Sequence, residues 1–171
     1  MIRLVVGVLV LLLLLPGCST ATPCTDAWWD AGDWIGDGES IRKADQAWAE
    51  MPWELLVPID SARHQELQLS ASETRAERSV WGVRYTDEIA GQSATPNSDR
   101  AEMVLLNYVE SLALHFQATL AVLNNLRPVD TSPQTSAKLE TATGNIQQAT
   151  SLASMLASKL RATCSAPEPS F

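Results

Sequence analysis

The sequence predicts an all-α domain of about four helices, arranged as an antiparallel bundle or a helical array. Three observations predict it. Apolar residues recur at three- and four-residue steps along two long C-terminal segments, the spacing of a helix face. Prolines and good N-cap residues stand where those segments begin and end. No stretch alternates apolar and polar residues at the two-residue period of a half-buried strand.

Residues 18–38 read as a tether leading into an irregular, Trp- and Asp-rich segment, because glycine and proline interrupt it. A first helix is predicted from Glu39 or Ser40, with Ala44, Ala47, Trp48 and Met51 on one face, and Pro52 ends it. WELLVPID then reads as a short extended or turn segment closed by Pro58. Asp60 suits the N-cap of a long polar helix carrying Trp81, Tyr85 and Ile89 at four-residue steps. Gly91 fits its C-terminal stop, and a break at Ser70–Ser72 is compatible with the same pattern.

After the loop QSATPNSD, Asn97 or Ser98 is expected to cap a helix whose first turn holds Asp99 and Glu102, where the helix dipole favours negative charge. Its stripe is Leu105, Tyr108, Leu112, Phe116, Leu120 and Leu123, ended by Pro128. Pro133 opens the last helix, with Leu139, Ala142, Ile146, Ala149, Leu152, Leu156 and Leu160 on one face. The short RPVDTS link between these helices predicts an antiparallel hairpin. The helical domain is expected over residues 39–166, with a disordered tail at 167–171.

The first 17 residues read differently. Arg3 precedes an apolar run from Leu4 to Leu15, about 18 Å long as a helix, too short to span a bilayer and suited to the core of a signal peptide. The run closes on Leu15-Pro16-Gly17-Cys18, which resembles the lipobox of bacterial lipoproteins: a leucine three before the cysteine and a small residue just before it. The resemblance implies acylation of Cys18 and removal of residues 1–17. It also implies export and anchoring in the bacterial cell envelope, with the lipid as the membrane contact. Ser19 after the cysteine resembles the outer-membrane sorting pattern, with the domain facing the periplasm if the cell is Gram-negative. A plain signal peptide is the alternative.

Removing residues 1–17 takes away one charge, Arg3, and moves the net charge from −8 to −9. Nucleic acid is therefore an unsuitable partner, since phosphate binding needs a basic patch. The acid is uneven: nine acidic and two basic residues lie between Ser19 and Asp60, together with five of the six tryptophans. With Cys18 acylated, Cys24 and Cys164 remain as an even pair in an oxidising compartment and are expected to form a disulfide. Free or metal-binding thiols are the alternative.

Chemistry is thin in this sequence. There are two histidines, His64 and His115, and no nucleophile elbow, phosphate loop, zinc cluster or dinucleotide fingerprint, so no catalytic residue and no cofactor beyond the lipid is expected. The acidic run DAGDWIGDGE offers Asp30, Asp33, Asp37 and Glu39 as weak cation ligands. An EF-hand register from Asp30 fails, because it would place Gly32, Trp34 and Ile41 at ligand positions. Trp28, Trp29, Trp34 and Trp53 are candidates for contacting a partner or a glycan, since indoles stack on sugars and anchor interfaces. Ala142, Ala149 and Ala153 offer a small-residue face that another helix could fill. The expected role is a lipid-anchored, non-enzymatic binding protein, an adaptor or assembly factor for another envelope protein. A cell-wall glycan-binding module is the alternative, and an unrecognised hydrolase the third reading.

Overall fold

A computed structural model describes residues 23–90, 99–129 and 132–164. The signal segment, Cys18, the expected stop at Gly91, the caps at Asn97 and Ser98 and the tail at 167–171 lie outside the described residues. Within them the chain is mostly helical. In chain order the elements are α1 (Pro23–Asp37), α2 (Glu39–Ala49), a 3-10 turn (Trp53–Leu55), β1 (Leu56–Pro58) and α3 (Ser61–Tyr85). A π-helical turn (Thr86–Ala90) extends α3, and α4 (Asp99–Asn124), β2 (Leu126–Pro128) and α5 (Pro133–Thr163) follow.

Helix α1 corrects the irregular tether expected for residues 18–38. Its glycines argue against a helix by about 1 kcal/mol each relative to alanine, yet Ala27, Trp28 and Ala31 are buried, with Trp34 and Ile35 packed beside them. That is a helical stripe, and tertiary burial outweighs the glycine cost. Gly38 then takes a left-handed φ of 60°, where a residue without Cβ is favoured, and turns α1 into α2. The start of α2 at Glu39 and its end before Pro52 agree with the sequence.

Helix α3 is unbroken through Ser70–Ser72. Asp60 caps it, its carboxylate accepting from the Arg63 N–H at 3.0 Å. Many Ser and Thr hydroxyls inside the helices donate to the carbonyl one turn back, as Ser111 does to Tyr108 and Thr119 to His115, which lets polar residues sit buried without an orphaned donor.

Two three-residue strands, missed because they are too short to alternate, pair antiparallel with Leu56 opposite Pro128 and Pro58 opposite Leu126. The Asn125 side-chain amide donates to the Asp60 carbonyl at 2.9 Å and so clips the start of α3 to the end of α4.

Helices α4 and α5 pack on each other most extensively, α3 packs on α4, α2 on α5, and α1 on both α5 and α4. Two apolar clusters fill the interior. One holds Leu112, Phe116, Ile146 and Ala149 between the middle of α4 and α5. The other holds Trp28, Leu105, Val109 and Leu160 under α1. Trp34 touches both. The small-residue face of α5 is covered from within the chain: Ala142, Ala149 and Ala153 are buried in the cluster that includes Ala44 of α2. Cys24 and Cys164 form a disulfide with a Cα–Cα distance of 4.7 Å, tying the start of α1 to the end of α5.

Candidate functional site

Helices α2 and α3 scarcely touch, because one leans on α5 and the other on α4. Between them opens a cleft of about 510 Å³, within the usual range of ligand sites. Phe116 of α4 and Ile146 of α5 lie at its base, Asp45 and Trp48 on the α2 side, and Arg75, Arg78 and Ser79 on the α3 side. A smaller recess of about 170 Å³ shares Trp48, Arg75, His115 and Thr119 with it and carries the groove on to Gln68 and Val122.

Helical spacing explains the lining. Arg75 and Arg78 are three residues apart and Gly82 follows four later, so all three fall on one face of α3. Gly82 matters sterically, since a Cβ there would stand 3.3 Å from Tyr108 Cε2. Its absence lets the Tyr108 ring lie against α3, where it stacks on Tyr85 at 5.1 Å between centroids. Burial, with Asp45 adding to it, pushes the Tyr108 hydroxyl above its ordinary range against the pull of Arg78.

The Arg78 guanidinium sits 5.2 Å over the Phe116 ring and donates two bonds of 2.7 Å to the two Asp45 carboxylate oxygens, bridging the cleft mouth. Burial works against the Arg78 charge, but the bidentate pair with Asp45 more than reverses it and raises the guanidinium's proton affinity. The Arg78 side chain is 18% exposed and that of Asp45 45%. Arg75 makes no ion pair among the described residues.

His115 stands at the junction of cleft and recess. Burial, followed by the nearby Arg78 and Arg75 charges, pushes its pKa down to about 4, so the imidazole is neutral at physiological pH. Its Nδ1 is buried with no hydrogen-bond partner. The cleft therefore gathers a neutral imidazole, one carboxylate and several hydroxyls, but not as a catalytic relay. Asp45 is engaged by Arg78, the Ser79 hydroxyl donates to the Arg75 carbonyl at 2.9 Å, and Thr119 to the His115 carbonyl at 2.8 Å. No hydroxyl is hydrogen-bonded to the imidazole among the described residues. His64 lies elsewhere, on the first turn of α3.

The residues singled out from sequence do not converge. Trp28 is 3% exposed and belongs to the core, which removes it from any surface contact. On α1, Trp28 points inward while the adjacent Trp29, 53% exposed, points outward. Trp34 is half-buried and donates to Ser40 Oγ at 2.7 Å. Trp53 stands edge-on to Trp48, ring centroids 4.6 Å apart. Asp30, Asp33 and Asp37 occupy exposed positions on α1, with Asp30 paired to Lys159 and Glu39 to Lys43. Their ligand atoms do not gather: among the described residues the one set close enough for an ion is Cys24, Glu102 and Cys164, and its sulfurs are joined to each other. Burial raises the Glu102 carboxyl's pKa, and its Oε1 lies 3.4 Å from Cys24 Sγ.

The cleft itself went unread in the sequence. Its only local trace is the Arg75–Arg78 pair on a helix, and the meeting of that pair with Asp45 and His115 is purely tertiary. No helix among the described residues is long and apolar enough to cross a membrane. No family model matches the chain, and neither a curated protein nor a solved structure matches it.

Proposed function

We propose that this chain is a lipid-anchored protein of the bacterial cell envelope that acts by binding, as an adaptor or assembly factor for another envelope protein, without catalysis. The supporting observation is the cleft between α2 and α3. The Ser79 and Thr119 hydroxyls are committed to helix carbonyls and the Asp45 carboxylate to Arg78, while the exposed Arg75 guanidinium, in no ion pair among the described residues, is open to an incoming group. That pattern suits recognition better than nucleophilic chemistry, which needs a nucleophile bonded to a base.

In this reading residues 1–17 are removed and the lipid on Cys18 holds the domain to the membrane, at the outer membrane facing the periplasm in a Gram-negative cell. No other cofactor takes part. The helices form a bundle of four arms, with α1 and α2 as one arm bent at Gly38. Cys18 is five residues before Pro23, so the anchor lies within about 18 Å of the disulfide-bonded end. Helix α4, 26 residues or about 39 Å long, carries the β1–β2 end away from it. Trp53, Leu55, Ile59 and Val129 are exposed at that membrane-distal end, where a partner in the envelope can reach them.

A glycan-binding role is the second reading, supported by the edge-on Trp48–Trp53 pair beside the cleft. Site-specific photo-crosslinking in cells tests the choice. A photoreactive residue at Ser72, on the recess wall, is expected to capture one envelope protein, whereas one at Gln148, exposed on α5, captures none. Adducts with wall fragments, or none at either position, would overturn the adaptor reading.

A further inference from the structure

We infer that the groove between α2 and α3 binds an extended acidic peptide segment, with Arg75 as its carboxylate receptor and His115 in the wall beside it. The inference deepens the adaptor reading and rests on it for the source of the peptide.

Three features of the groove support it. The first is charge. Arg75 and Arg78 face the groove with Asp45 as the one carboxylate in its lining, inside a chain of net charge −8. Arg78 already holds Asp45 by both terminal guanidinium nitrogens, so the site contains an example of the contact it would make with a visitor. Arg75, one turn earlier, has no such partner among the described residues and is exposed. An unpaired guanidinium is a fork shaped for a carboxylate.

The second is the imidazole. His115 lines both the cleft and the recess and is held neutral, so it adds no second charge to the wall and does not compete with Arg75 for a carboxylate.

The third is length. The groove runs along α3 from Gly82 to Gln68, about 21 Å at the helical rise. An extended chain covers that span with about six residues. Trp48 and Tyr108 supply apolar wall for the aliphatic part of glutamate side chains.

The test is calorimetric titration of the full-length protein in detergent with acetylated, amidated hexaglutamate, and with hexaglutamine as the uncharged control. Hexaglutamate is expected to bind at least tenfold more tightly than hexaglutamine and to weaken at high salt. Arg75→Gln should weaken it about tenfold or more, as loss of a charge-assisted bond does, while Arg63→Gln, outside the groove, should change nothing. The chain has two histidines, so ring resonances give an independent readout: hexaglutamate should shift those of His115 and spare those of His64.

Equal affinity for the two peptides, or binding unchanged by Arg75→Gln with His115 unmoved, would overturn the inference. Oligogalacturonate binding where hexaglutamate does not would overturn it in favour of an acidic sugar. The adaptor reading fails separately. If Ser72 captures one envelope protein and hexaglutamate does not bind, the adaptor reading stands and the inference falls. If hexaglutamate binds as described and no protein is captured, the reverse holds.

Discussion

Replacing both disulfide cysteines, Cys24→Ala with Cys164→Ala, tests the tie that closes the fold. The bridge spans 140 residues, nearly the whole described chain. The loop-closure relation gives about 5 kcal/mol for a ring of that size, and native bridges deliver about 2–5 kcal/mol once residual structure in the unfolded chain is allowed for. The loss should not be uniform. Helix α1 is held by Ala27, Trp28 and Ala31 against α4 and α5 and carries two internal glycines, so it is the element with least to hold it once the bridge is gone. Urea unfolding followed by circular dichroism should show the midpoint falling by about 1–2 M at the slopes usual for small domains. Amide exchange should accelerate in residues 23–37 before it does in α4. A midpoint within about 0.3 M of the parent, or free alkylation of Cys24 and Cys164 in the unreduced parent, would refute the reasoning.

Four further outcomes follow from the same structure. Trp28→Ala should cost about 3–5 kcal/mol in chemical unfolding and Trp29→Ala under about 0.5, because only the first ring is buried. A large cost for Trp29→Ala would contradict the α1 register. Gly32→Ala and Gly36→Ala, where a Cβ meets open space, should each stabilise by about 0.5–1 kcal/mol, while Gly38→Ala, at φ 60°, should destabilise by about 1 kcal/mol, all read by calorimetric melting. The His115 pKa is lowered on folding from 6.5 to about 4, so the stability it contributes is intact above pH 6.5 and is lost as pH falls toward 4. That gap converts to about 3 kcal/mol, which solvent access at the cleft reduces to about 1–2 kcal/mol. Urea midpoints at pH 7 and pH 4 should therefore converge in His115→Gln more than in the parent, and an identical pH slope in both would refute this. Asp45→Asn strips Arg78 of its partner and should cost about 1–2 kcal/mol, with Asp45→Asn/Arg78→Met recovering part of it in a double-mutant cycle.

The sequence by itself determined the elements whose cause is local. Apolar spacing places α4 and α5, Asp60 caps α3 through its own side chain, and Pro52 and Pro133 bound their helices wherever the rest of the chain lies. Cysteine count pointed to the Cys24–Cys164 bridge, since one bridge between two remaining cysteines leaves no choice of pairing. Other features were decided by tertiary contact. Glycine-bearing α1 is a helix because Trp28 and two alanines find a surface to bury against, and local propensity does not contain that surface. The three-residue strands exist only because the ends of two helices bring them together. The cleft is the extreme case. Arg78 meets Asp45 across 33 residues, and His115 joins them from a third helix, so its charge balance and its lowered imidazole pKa arise from packing alone. Periodicity reports which face of a helix is buried, but which faces meet, and where they fail to meet and leave a groove, is set by how whole helices lean on one another.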